Sequence, residues 1–259
     1  MNQEVYFVNS FTSELFRGNP AGVIFYSKAM SNELMQKIAA ENNLSETAFI
    51  DINSNEIRFF TPEIEVDLCG HATLASAFIY FNFINTEKNE VTFRSKRGSL
   101  VALKAATGIQ ISLPRDIYRK VDNHQLFEDA LNVRVNELYK GIDDYLVILE
   151  SEDTVKNLEP NFQMLKEIDA RGVVVSAKGN NIDFVSRWFG PQTGVNEDPV
   201  TGSAHALLAP YWAENLGKTH MQAAQISPRG GKLDCKLDSD FVHITGDAKL
   251  YLKGKINSD

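Results

Sequence analysis

Two stretches of the chain, set side by side, decide the fold. The first reads Arg58-Phe59-Phe60-Thr61-Pro62-Glu63 and continues to Glu65-Val66-Asp67-Leu68-Cys69-Gly70-His71-Ala72. The second reads Arg187-Trp188-Phe189-Gly190-Pro191-Gln192 and continues to Glu197-Asp198-Pro199-Val200-Thr201-Gly202-Ser203-Ala204. Arg58 pairs with Arg187 and Cys69 with Thr201, at offsets of 129 (187 − 58) and 132 (201 − 69) in a chain of 259 residues. A three-residue insertion separates the two offsets, and both are close to half the length. A repeat of that period predicts two pseudo-equivalent domains. They are expected over 1–115 and 116–259, with the last strand able to return to the first.

Each copy has the same local order. A strand ends in an aromatic pair, a Pro turn follows, and an acidic loop leads to Gly-x-Ala and an apolar helix. The helices are expected over 71–80 and from 203 to 209, with Pro210 kinking the second and Gly217 beyond its end. Both are apolar on nearly every face, which suits a central helix wrapped by strands. An outer amphipathic helix is expected over 32–43, capped by Ser31 with Glu33 in its first turn. Enrichment in β-branched and aromatic residues predicts strands over 5–8, 23–25, 48–52, 56–60, 91–94, 99–104 and 109–113. In the second half it predicts strands over 145–149, 172–176, 183–188, 231–236 and 241–245. The class is α+β: two pseudo-symmetric domains, each a mostly antiparallel sheet around a central helix.

Composition narrows the function. The formal net charge is −8, and neither half is basic, so nucleic acid and anionic membranes are not expected partners. The longest apolar stretch, 72–84, is too short to span a bilayer. The N-terminus lacks the pattern of a signal peptide, and two cysteines, Cys69 and Cys235, make no disulfide framework. A cytoplasmic location is the expectation.

A Gly-x-Ala at a helix start leaves backbone N–H groups without intrahelical partners, and with the helix dipole these can hold an anion. An acidic protein can therefore bind a small carboxylate. A lone Gly-x-Ala can equally serve close packing. Its duplication, beside Cys69, His71, Thr201 and Ser203, points to a ligand.

The same residues carry a family resemblance over almost the whole chain. Phe16-Arg17-Gly18-Asn19-Pro20-Ala21-Gly22-Val23, Leu44-Ser45-Glu46-Thr47-Ala48-Phe49, Cys69-Gly70-His71-Ala72-Thr73 and Glu197-Asp198-Pro199-Val200-Thr201-Gly202-Ser203-Ala204 follow in order. In this the chain resembles the PhzF-type phenazine-biosynthesis family, which shares the diaminopimelate-epimerase fold. The resemblance implies an active site in the cleft between the domains, no cofactor, and a homodimer. It makes Glu46 the proton shuttle, and an apolar setting near Ala48 and Phe49 would raise its pKa toward working pH. It places His71, Asp198 and Ser203, with Gly70 and Gly202, around the substrate. Taken alone, Glu46 reads as a solvated loop residue, Asp198 and Ser203 as helix caps, and His71 as a satisfied helix-start side chain.

In the related epimerases two thiols face each other at the paired helix starts. Here Thr201 stands at the second, which disfavours two-thiol racemisation; by itself Cys69 reads as a small buried residue. No second Cys/His pair accompanies Cys69 and His71, so a metal site is not expected. No Walker-type loop or Gly-x-Gly-x-x-Gly occurs, so no nucleotide cofactor is expected either. Arg229-Gly230-Gly231 reads as a turn, and Asn19-Pro20-Ala21-Gly22 as a turn or as cleft lining. The first functional expectation is a cofactor-independent isomerase acting on a small carboxylate, of the trans-2,3-dihydro-3-hydroxyanthranilate type. The alternatives are an amino-acid racemase or epimerase, and a carboxylate-binding protein without turnover.

Overall fold

A computed structural model describes residues 2–257. The chain divides into two compact units. One holds the chain up to Ser112 and takes it up again from Thr245, and the other runs Leu113–Ile244.

The elements begin with β1 (Asn2–Ser10), β2 (Asn19–Tyr26), α1 (Asn32–Asn42), β3 (Glu46–Asp51), β4 (Ile57–Phe60), β5 (Glu65–Val66) and α2 (Gly70–Ile79). Next come β6 (Glu90–Ser95), β7 (Gly98–Ala105), β8 (Gly108–Pro114), β9 (Arg119–Lys120), α3 (Gln125–Leu131), β10 (Glu137–Lys140) and β11 (Asp144–Ile148). Then follow α4 (Glu152–Lys156), α5 (Phe162–Leu165), β12 (Gly172–Lys178), β13 (Phe184–Gly190), β14 (Val195–Asp198) and α6 (His205–Leu216). The last are β15 (His220–Gln225), β16 (Gly231–Leu237), β17 (Phe241–Gly246) and β18 (Ala248–Asn257).

The two units use one pairing scheme. In the first, β1 and β2 are antiparallel, β2 and β3 parallel, and β3, β4 and β5 antiparallel in turn before α2. In the second, β10 and β11 are antiparallel, β11 and β12 parallel, and β12, β13 and β14 antiparallel in turn before α6. The parallel step requires a crossover, supplied by α1 in one unit and by α4 and α5 in the other. An outer strand completes each scheme: β18 against β1, and β9 against β10.

The quoted repeat reappears as contacts. Arg58 grips Glu65 with two bonds of 2.8 Å and lies over the Phe60 ring. Arg187 grips Glu197 at 2.7 and 2.9 Å and lies over Phe189. A bidentate guanidinium–carboxylate pair stacked on an aromatic ring locks the turn before each helix.

The helices behave as their patterns predict. All of α2 except Phe78 is buried, as is α6 from Leu207 to Ala213. The helix after Ser31 is capped by that side chain, which accepts from Leu34 N–H, and ends at Asn43 in the left-handed region. Two details differ from expectation. A wider π turn, Tyr80–Ile84, extends α2. The second central helix opens with a tight 3₁₀ turn, Gly202–Ala204. As expected, α6 runs through Pro210 to Leu216, with Gly217 beyond its end. Pro210 has no N–H for the Ala206 carbonyl, which instead accepts from the Asp116 N–H at 3.1 Å.

Strands β5, β9, β10, β14, β15 and β18 lie outside the expected set. Two of them have only two residues, while β18 is charged and mostly exposed, so neither length nor hydropathy marks them. Asn19-Pro20-Ala21-Gly22 opens β2, and Arg229-Gly230 forms the turn before β16, with Gly230 at a φ of 63°.

Candidate active site

In the first unit, four elements deliver polar groups to one place. Strand β1 ends at Ser10, whose Oγ donates to the His71 carbonyl at 2.7 Å. Its antiparallel neighbour β2 begins at Asn19, opposite Ser10. The parallel strand β3 begins at Glu46, in register with Ala21. Helix α2 begins beyond Cys69 with Gly70 and His71. The return from β1 to β2 is tight: Gly18 has a φ of +68°, and a Cβ there would lie 2.2 Å from the Ser10 carbonyl oxygen.

His71 is the hub. Its Nδ1 faces the Asn19 side-chain amide, with Nδ2 at 3.1 Å, and its Nε2 lies 3.2 Å from Glu46 Oε2. An amide nitrogen only donates, so the neutral ring accepts at Nδ1 and carries its proton on Nε2, toward Glu46. Burial depresses the His71 pKa to about 3, so the ring is a neutral imidazole across the physiological range. The Glu46 side chain is largely covered but keeps some exposure, unlike the solvated loop carboxylate that its sequence position alone suggests.

Cys69 Sγ lies 3.4 Å from Nδ1 and 3.9 Å from Nε2. The near equality of those distances puts the sulfur off the outward axis of both nitrogens. Glu46, Cys69 and His71 offer donor atoms within 4.8 Å of one another, a composition that can ligate a metal. Here Nδ1 faces an amide and Nε2 a carboxylate, which suits proton transfer better than coordination.

The second unit places Asp198, Thr201, Gly202 and Ser203 at the corresponding helix start. Thr201 Oγ1 donates to Asp198 Oδ2 at 2.5 Å. The buried Gln225 amide accepts from Thr201 N–H and donates to the Asp198 carbonyl, both at 2.8 Å. His205 Nδ1 donates to the Thr201 carbonyl at 3.0 Å, and burial lowers its pKa to about 4. Arg171 Nη1 donates to Ser203 Oγ at 2.9 Å.

The expected cap roles fail in an informative way. Outer helices α1, α4 and α5 are capped by Ser31, Ser151 and Asn161. Cys69, Thr201 and Ala204 make no such bond, and neither central helix has an acidic residue in its first turn. Asp198 and Ser203 are engaged by Thr201 and Arg171 instead of capping. The initial N–H groups of α2, at Gly70, His71 and Ala72, thus keep their capacity to meet an acceptor.

The structure therefore groups Glu46, Gly70 and His71 with Cys69 in one unit, and Asp198, Gly202 and Ser203 with Thr201 in the other. Sequence reasoning missed Arg171, Gln225 and Ser10, and left Asn19 undecided. Asn19 was reachable through its motif. No local signal marks Arg171 or Gln225, whose partners lie 32 and 24 residues away.

The family model for phenazine biosynthesis-like proteins, PhzC-PhzF, matches residues 8–255. A protein of Pseudomonas aeruginosa named an uncharacterized isomerase is 41% identical, covering 99% of this chain and 100% of its own. The crystal structure of a PhzF-family phenazine biosynthesis protein from Enterococcus faecalis superposes with a TM-score of 0.96 at 42% identity, over 100% of both chains. A predicted epimerase of Pseudomonas aeruginosa shares the fold, with a TM-score of 0.77 at 16% identity over 99% of this chain and 100% of that one.

Proposed function

The chain belongs to the phenazine biosynthesis-like, PhzC-PhzF family, and from that premise we propose that it is an isomerase moving a proton, and with it a double bond, within a small carboxylate. The observation that carries the reading is the contact between Glu46 Oε2 and His71 Nε2 at 3.2 Å, beside an uncapped helix start. Two bases stand there, and only one can act. A ring with a pKa of about 3 does not take a carbon-bound proton at neutral pH. Glu46 is therefore the acceptor, and His71 Nε2 stands 3.2 Å from its Oε2.

The step balances without an oxidant or a reductant. Glu46 removes a proton from a carbon next to an unsaturated system. The C–H electron pair forms a new C=C bond, and the displaced π electrons spread toward an electron-withdrawing group. Hydrogen-bond donors at a helix start stabilise such developing negative charge. Protonated Glu46 then delivers its proton to the distal carbon, and the carboxylate is regenerated. The substrate proposed is of the trans-2,3-dihydro-3-hydroxyanthranilate type, with Asp198 and Ser203 binding its polar groups.

A two-thiol racemase has less support. The repeat pairs Cys69 with Thr201, whose hydroxyl donates to Asp198. Cys235 sits on β16 within the buried core, where burial pushes its pKa up. Incubation of the chain with the substrate in deuterated water tests the proposal by mass spectrometry. We expect deuterium at carbon and isomerised product, both lost in Glu46→Gln while binding persists. Full activity in that variant overturns the assignment, and saturable binding without exchange in the wild type reveals a binder rather than an enzyme.

A further inference from the structure

We propose that Arg171 is a positioning residue that holds the Ser203 hydroxyl as a hydrogen-bond donor toward an acceptor oxygen of the substrate; this rests on Ser203 being a substrate-binding residue. A guanidinium has donors only. Its contact with Ser203 Oγ at 2.9 Å therefore occupies a lone pair and turns the hydroxyl proton outward, to be donated elsewhere.

The arginine is itself held from three sides. Its Nε donates to Asp144 Oδ1 at 3.0 Å, and its Nη2 meets the other carboxylate oxygen of Asp144. Asp144 Oδ2 also accepts from Trp188 Nε1 at 3.2 Å. The guanidinium carbon stands 5.6 Å from the Trp188 ring centre. That indole crosses two glycines, since a Cβ on Gly172 or Gly190 would come within 2.3 or 2.1 Å of it. Pinning β11 to β12 needs only the Asp144–Arg171 pair, so the bond to Ser203 is an addition. The pair is neutral as a unit, and Asp143 and Asp198 add negative charge near the guanidinium. A ligand carrying both an acceptor oxygen and an N–H donor, an amino-carboxylate, matches the arrangement.

The test is calorimetric titration of anthranilate into the full chain, using the wild type, Ser203→Ala, Arg171→Gln and the double variant. If Arg171 works through Ser203, each single change weakens binding about tenfold and the double is no weaker than the singles. Losses that multiply to about a hundredfold overturn the proposal, as does unchanged binding in Arg171→Gln or no binding by the wild type. Because Arg171→Gln strands a buried carboxylate, Arg171→Lys is run beside it. Lysine keeps the charge for Asp144 but lacks the fork that also reaches Ser203. Weakened binding at an unchanged Tm supports the proposal, and wild-type affinity in Arg171→Lys overturns it. The isomerase reading fails separately, on deuterium exchange in Glu46→Gln.

Discussion

The two central helices begin alike and are furnished differently. At the α2 start the neighbours are a neutral imidazole, a thiol, an amide and one partly covered carboxylate, Glu46. At the start before α6 they are a guanidinium paired with Asp144, a second carboxylate in Asp198, and hydroxyl and amide groups bonded to one another. At the first start the carboxylate stands beside a neutral ring. At the second, nearly every polar atom is already committed to a neighbour. Such a network keeps its shape and serves recognition better than proton transfer. On the proposed reading, one repeat is fitted for chemistry and the other for holding.

That division can be broken at several points. The largest effect is expected from Glu46→Gln, which should lower kcat by about 10²–10⁴-fold with binding retained, measured by product formation and calorimetry. Next is Gly190→Ala. A methyl group would meet the Trp188 ring at 2.1 Å, so a loss of about 1–3 kcal/mol is expected in urea denaturation. The displaced indole should also shift its fluorescence. Asp198→Asn comes third: about tenfold on KM with little change in kcat, the opposite split from Glu46→Gln. If Asp198→Asn instead abolishes exchange, the division of labour is wrong.

A final test concerns acid. The folded pKa values of His71 and His205, about 3 and about 4, lie below the ordinary value of 6.5. Protonation therefore favours the unfolded chain. Stability is full above pH 6.5 and falls as pH drops below it, by about 1.4 kcal/mol per unit for each ring until its folded pKa is reached. A wild-type urea midpoint independent of pH between 7 and 5 would contradict this burial. His71→Asn should roughly halve the slope.

How much of this was legible follows from which residues speak locally. The repeat and the central helices could be read because their signals are periodicity and composition, whereas Glu46 was singled out only through its motif. The capping question could not be answered that way. Asp198 and Ser203 have the chemistry of caps, and only the bonds from Thr201 and Arg171 show that they are used otherwise. Arg171 and Gln225 gain their roles from strand neighbours distant in sequence, and one arginine among 26 basic residues carries no mark of that. β18 escaped for a related reason. Its residues are half exposed along an edge, so burial never imposed a hydrophobic pattern on it.

That same strand sets an order of assembly. The second unit is contiguous, and all of its residues are synthesised before β18. The first unit must wait, because the outer neighbour of β1 is drawn from residues 248–257. Until β18 follows, β1 presents an unpaired backbone edge to its surroundings. The strand whose partner lies farthest along the chain is thus the most open to mispairing, and a chain cut short before residue 248 would leave the unit that carries Glu46 unfinished.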